Sequence, residues 1–281
     1  GADFSKSKAR GGPYLFKADG YIPTDAIRGD LAESWKWLEP PLRLEIQLRK
    51  GVMFPAKAGV MAARELVAQD VAYSFNRLMA SPKRTAEYLD HIQRVEAPER
   101  HKVVFYFNYF HEDWANRFGF GTYSSIYPKE VVDAGIGDWK KANGSGPFQI
   151  AEYIGGNSQN YVKNPLYWGK ERIGGEEYKL PFLDRVSIRI MKDESARYAA
   201  LRTGRLDVLQ SITWSAAEEL KKNAPHLKWA RWLQHGSPYI AMRTDTKPFT
   251  DVRVRRAMNM AVNKQEIVSS FYGGNAEVFA Y

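Results

Sequence analysis

The chain has 281 residues, long enough for a core that needs no covalent staples. It has no cysteine, which excludes thiol nucleophiles, disulfides and thiolate metal sites and is compatible with an oxidising compartment. Lys and Arg total 41 against 32 Asp and Glu, a net charge of +9. The largest basic cluster is only Arg253, Arg255 and Arg256. A nucleic-acid binder would gather such an excess into a stripe interleaved with aromatics, so the charge reads as a solvated basic surface.

From the N-terminus, GADFSKSKAR lacks the basic, apolar and cleavage regions of a signal peptide. Residues 1–29 read as a loop with at most one short strand, at Tyr14–Lys17. Asp30–Trp37 reads as a compact apolar-aromatic turn, with Trp35 and Trp37 on one side if the segment is extended. Leu42, Leu44, Ile46 and Leu48 alternate with Arg43, Glu45, Gln47 and Arg49, the clearest strand in the chain, and Lys50-Gly51 breaks it. Leu66–Met79 has helical spacing, with Val67, Val71, Ser74, Phe75 and Leu78 on one side and Gln69, Asp70, Asn76 and Arg77 mostly on the other. Ser81-Pro82 ends it.

Val95–Pro98 and His101–Phe107 form a predicted strand pair across Glu99-Arg100. Short helices are expected at Trp114–Phe118 and, after Pro128, at Lys129–Ala134. Asn143–Gly146 is a turn, Pro147–Ile154 a strand, and Gly155-Gly156-Asn157 reverses the chain into Asn160–Lys163. Asp184–Met191 repeats the period of two and predicts burial of Val186, Ile188 and Ile190. Asp193 caps a helix at Glu194–Thr203 that Gly204 closes, and Ser215 with Glu218 makes a capping box for Ala216–Asn223.

Near the C-terminus, Tyr239–Arg243 reads as extended. Thr250 or Asp251 can cap a helix whose Val254, Ala257, Met258 and Ala261 share one buried face. Asn263 and Glu266 start a second short helix, and Gly273-Gly274 stops it. Strands alternating with helices, with both hairpins and crossovers, argue a mixed α/β (α+β) fold in place of a strictly parallel wound sheet.

Catalytic motifs are missing: there is no G-x-S-x-G, no G-x-x-x-x-G-K-[ST], no H-E-x-x-H and no complete G-x-G-x-x-G. His91, His101, His111, His226 and His235 do not pair at a metal-ligand spacing. No catalytic residue, metal site or cofactor is therefore expected. Gly144-Ser-Gly-Pro-Phe148 could be imagined as an anion nest but reads better as a structural turn. Aromatics are 14% of the chain, with 16 tyrosines, and flat rings with polar tips suit a pocket for varied ligands. A hydrolase on a mixed α/β scaffold, using carboxylates that sequence does not pair, is the alternative.

The order of motifs is more specific than any one of them. Asp30-Leu-Ala-Glu-Ser-Trp35, Leu48-Arg-Lys-Gly-Val-Met-Phe54, Gln69-Asp-Val-Ala-Tyr-Ser-Phe-Asn-Arg-Leu78, Gly144–Phe148, Asn164-Pro-Leu-Tyr-Trp-Gly169, Arg197–Val208 and Lys247–Tyr272 follow one another across residues 29–273. This series resembles the family 5 extracellular solute-binding proteins, the peptide- and nickel-type binding proteins of ABC importers. Members are nearly twice as long, so the resemblance implies a partial chain.

It further implies a periplasmic-binding-protein-like lobe with a mixed sheet from residues 1–30 and 144–240. A subdomain at 31–143 would stand beside it, and the truncated start of a second lobe would lie at 241–281. The implied protein is periplasmic and a monomer when intact. It would capture a peptide-like or other small polar solute between two lobes and deliver it to membrane permease subunits, with no role for nucleic acid. Regional matches place Arg84, Tyr88, Tyr123, Ser124, Tyr239 and Arg243 at the ligand, the tyrosines and arginines stacking or hydrogen-bonding and Ser124 as a small polar contact.

Overall fold

The computed structural model describes Lys6 and residues 24–82, 89–117, 125–230 and 239–278. The chain divides into two compact units, Gly1–Ile190 and Met191–Tyr281. The fold is mixed α+β.

In the first unit, strand β1 (Ala32–Leu38) pairs antiparallel with β2 (Arg43–Leu48). β2 also pairs with β6 (Lys102–Phe107), which pairs with β5 (Ile92–Glu99), giving the order β1-β2-β6-β5. The alternation in β2 and the β5–β6 turn are as predicted. Asp30–Trp37 is not a compact turn, because most of it is an edge strand. Trp35 faces Ile46 and Trp37 faces Leu44, so both rings extend the apolar side of β2. Antiparallel pairing with the next strand, across residues 39–42, overrode the local turn signal.

Helix α1 (Ala68–Met79) covers the apolar side of β5 and β6. Val71 and Phe75 are buried there with Leu44, Val95, Val103 and Phe105. Phe75 meets Phe105 edge-on at 4.9 Å and 83°, an arrangement aromatic pairs favour. Ser74 earns its place on that face through Tyr127, whose N–H donates to Ser74 Oγ at 2.9 Å. Asn76 Nδ2 donates to the Val95 carbonyl at 2.9 Å and ties helix to strand.

Asp70 departs from its expected place on the wet side of α1 and is 5% exposed. The cause is Arg64, on the short strand β4 (Arg64–Glu65) that pairs with β3 (Met53–Phe54). Arg64 grips Asp70 with two bonds of 2.8 and 2.9 Å, and Glu130 with Nε at 2.7 Å and Nη2 at 2.8 Å. Asp70 Oδ2 also accepts the Val67 N–H at 2.9 Å. The guanidinium beside it holds the Glu130 carboxyl down at about 2. Glu65 is likewise held at about 2, by the Gly51 N–H first and then by Arg100, with His101 adding a smaller effect. Carboxyls depressed in this way stabilise the fold above their unfolded pKa of about 4.3, a contribution lost as pH falls toward 2.

After α2 (Trp114–Arg117) and α3 (Lys129–Gly135), strands β7 (Phe148–Ile154), β8 (Ser158–Lys163) and β11 (Arg185–Arg189) form an antiparallel sheet in the order β11-β8-β7. Between β8 and β11 stands the hairpin β9 (Lys170–Ile173) and β10 (Glu176–Lys179). It was missed in the sequence, although Gly174-Gly175 marks its turn: both have positive φ, 61° and 91°, the requirement of a two-residue hairpin loop. The expected burial of β11 is not found: Ile188 is 48% and Ile190 40% exposed, and Val186 is half-buried. Alternation shows which residues share a face, whereas burial needs another layer over that face.

The second unit begins with α4 (Glu194–Arg202), where Asp193 accepts the Ala196 N–H at 2.6 Å, and Gly204 follows with φ of +70°. Helix α5 (Trp214–Asn223) starts earlier than predicted, with Thr213 at the cap position, so the Ser215–Glu218 capping box is not formed. Helix α6 (Val252–Ala261) is capped by Asp251, whose carboxylate accepts the Arg253 N–H at 2.8 Å. Asn263 accepts the Glu266 N–H at 3.1 Å to start α7 (Lys264–Glu266), which runs into a π-turn at Ile267–Phe271. The predicted stripe on α6 is only partly covered: Val254 and Met258 are half-buried, while Ala257 and Ala261 are exposed.

Candidate functional site

Of the six residues expected at a ligand, Arg84, Tyr88, Tyr123 and Ser124 lie outside the described residues. Tyr239 and Arg243 are described and share one irregular stretch before α6. The expected extension at Tyr239–Arg243 forms no strand pairing among the described residues. Tyr239 is 85% exposed and Ile240 66%, leaving an aromatic and a branched aliphatic side chain in water.

Arg243 is engaged. Its Nε donates to Asp245 Oδ1 at 3.1 Å and its Nη2 to Asp245 Oδ2 at 2.6 Å, a fork-to-fork pair. The carboxylate raises the pKa of Arg243, and the guanidinium lowers that of Asp245. Both groups stay charged throughout the neutral range. Exposed as the pair is, it sets geometry more than stability. An incoming carboxylate would compete with Asp245 for the same fork. Asp245 was missed in the sequence, and its only signal is its place two residues after Arg243.

The stretch is anchored downstream by turns: Thr246 N–H donates to the Arg243 carbonyl at 3.1 Å, and Phe249 N–H to that of Thr246 at 2.9 Å. Arg255 Nη1 reaches back to the Phe249 carbonyl at 2.5 Å. A second tie joins α5 to the end of the π-turn, where Trp214 Nε1 donates to the Phe271 carbonyl at 2.9 Å. The indole lies on Gly273, where an added Cβ would stand 2.9 Å from the ring and φ is +55°. Gly273→Ala is therefore expected to destabilise this unit by about 1–2 kcal/mol, the cost of a left-handed backbone at a non-glycine residue. Urea unfolding followed by tryptophan fluorescence measures it.

In the first unit, an open depression of about 320 Å³ lies on the β11-β8-β7 sheet, lined by Pro147, Phe148, Tyr161, Val186 and Ile188. Its lining is almost wholly apolar, without the several converging polar groups that orient a ligand. The neighbouring Gly144–Phe148 turn is tied down through both amide and carbonyl groups, and the Gly144 N–H donates to Asn143 Oδ1 at 3.1 Å. Gln149 Nε2 donates to the Gly144 carbonyl at 2.8 Å, Asn164 Nδ2 to that of Gly146 at 2.8 Å, and the Asn164 N–H to that of Pro147 at 2.9 Å. These internal bonds fit a structural turn. Among the described residues, no group of three His, Asp or Glu side chains could hold a metal ion. No described helix is long and apolar enough to cross a membrane.

The model of the family "Bacterial extracellular solute-binding proteins, family 5 Middle" matches residues 26–279. The chain belongs to that family. It is 29% identical over 267 residues to di/tripeptide-binding protein 2 of Pseudomonas aeruginosa, covering 88% of this chain and 48% of the relative. It is 28% identical over 267 residues to heme-binding protein A of Haemophilus influenzae, covering 88% and 47%. Among solved structures it is similar to the ABC transporter-associated periplasmic binding protein DppA of Helicobacter pylori in complex with the peptide STSA. The TM-score is 0.66 and the identity 26%, over 87% of this chain and 49% of that one. The chain thus spans about half the length of the curated relatives it matches.

In this family 5 chain, the large buried side chains Phe54, Phe105, Leu44 and Leu66 lie in one apolar core of the first unit. Tyr239 and Ile240 stand in the open.

Proposed function

We propose that this family 5 protein is the substrate-binding component of an ABC-type importer. It captures a peptide-like or other small polar solute in the periplasm and delivers it to membrane permease subunits without catalysing a reaction. The observation that carries this reading is the family match over 26–279, joined by likeness to a di/tripeptide-binding protein and to DppA holding a peptide. The proposed organisation keeps 1–30 with 144–240 as a first lobe, 31–143 as a subdomain and 241–281 as the start of a second lobe.

Arg84, Tyr88, Tyr123, Ser124, Tyr239 and Arg243 are proposed to contribute to the ligand site. The rings would stack on or hydrogen-bond to the solute, and Arg243 would exchange Asp245 for a solute carboxylate. The protein is proposed to act as a monomer and to take no nucleic acid, its basic residues being spread along the chain and some of them, such as Arg243 and Arg253, paired with carboxylates.

Titration calorimetry of the full-length protein against dipeptides, oligopeptides, an opine and a nickel chelate tests the reading. Saturable heat with at least one of these classes is expected, and silence across the panel together with turnover of any member would overturn it. Residues 1–281 alone are expected to bind that solute more weakly by about tenfold or more, since a site open to water loses enclosure. Equal affinities would show that this stretch holds the whole site.

A further inference from the structure

His91 stands immediately before β5 and has no exposed surface. Its ring stacks on Phe107 with centroids 5.7 Å apart and planes 18° from parallel. Tyr109 at 6.1 Å and His111 at 5.7 Å stand over the rest of it. The backbone is joined at the same place, for the His91 carbonyl accepts the Asn108 N–H at 2.8 Å. Asn108 Nδ2 also donates to the Asp90 carbonyl at 3.1 Å. An ionisable ring therefore pins the segment that leaves β6.

The charged and titratable groups facing His91 among the described residues are few. Asp90 Oδ1 lies 3.8 Å from His91 Nδ1, but its side chain is half exposed and already receives the Tyr109 hydroxyl. On the other side are His111 and the Arg117 guanidinium of α2. A proton on His91 would thus enter an aromatic cage beside one fixed cation and a second imidazole. Among the described residues, a single, partly solvated carboxylate would oppose them. Burial first, then Arg117 and His111, hold the His91 pKa below its ordinary value.

We propose that His91, with Asp90, Tyr109 and His111, is an acid-sensitive latch. At neutral pH it holds residues 108–117 against the end of the four-stranded sheet, and it lets them go when His91 takes a proton. The released segment carries Phe110 and Trp114, which pack on Trp37 at 5.1 and 5.5 Å, while Trp114 also meets Trp35 at 6.4 Å. Opening the latch therefore uncovers an indole cluster. The sign follows from linkage: a histidine kept neutral in the fold adds stability above its unfolded pKa of about 6.5, and that stability drains away as pH falls below it. Glu65 and Glu130, both held at about 2, stay ionised through this window and do not confuse the readout.

Hydrogen exchange at the Asn108 amide, read with the His91 ring resonance by NMR on the full chain, tests the latch. Between about pH 7.5 and pH 5, Asn108 protection corrected for intrinsic rate is expected to fall at least tenfold. The fall should track a His91 midpoint below about 6.5, and in His91→Phe protection should be level across the range. Three results would each overturn the proposal: protection unchanged to pH 5, a His91 midpoint at the solvated value, or an undiminished fall in His91→Phe. If that variant does not fold, the wild-type midpoint and protection decide alone: coincidence supports the latch, and any other pattern refutes it.

Discussion

Phe105→Ala is expected to lower the unfolding free energy of the first unit by about 3–5 kcal/mol, the range for deleting a large buried ring and leaving its cavity. Phe105 is 1% exposed and lies between Leu44 on β2 and Val95 on β5, its register partners. Phe75 of α1 covers it edge-on, and Phe107 stacks at 6.4 Å. Three other elements, β2, β5 and α1, lose contact together, so neighbouring side chains cannot close the void by moving one of them. Urea unfolding should show a lower midpoint at unchanged slope, the mark of lost stability without a change in the surface exposed. Phe105→Leu, which keeps most of the volume, should cost well under half as much. A smaller loss for the alanine variant than for the leucine variant would show that this sheet is not where the unit is held together.

Arg64→Ala should cost about 3 kcal/mol, toward the low end for breaking a buried ion pair because Glu130 is partly solvated. The penalty arises less from the lost attraction than from what remains. Asp70 is buried at the start of α1, and without the guanidinium its negative charge keeps only the Val67 N–H among the described residues. Replacing both groups, as Arg64→Met with Asp70→Leu, should recover part of the loss, since no orphaned charge is then left inside. Thermal unfolding of the two singles and the double measures the coupling. Additive losses would mean the pair does not act as a unit.

Several elements were legible because their signals lie within a few residues. The alternation from Leu42 to Leu48, the 3.6-residue spacing of Val71, Phe75 and Leu78, and the Asp193 cap answered by Gly204 all reappear as β2, α1 and α4. The ordered motifs carried family membership, now supported over residues 26–279. The candidate site was less legible. Tyr239 and Arg243 could be named by position in the family pattern, but nothing local showed that Asp245 already occupies the guanidinium.

By itself, then, the sequence determined local conformation and kinship, since hydrogen bonding along a helix and alternation along a strand depend on near neighbours. Only the tertiary structure decided that Asp70 is buried, because Arg64 and Glu130 arrive from a different strand and helix. It alone left Ile188 in water and closed an aromatic cage on His91. Each of these outcomes depends on which distant surface covers a given face and on which charge meets another there. Such long-range pairings have no period for a sequence to display.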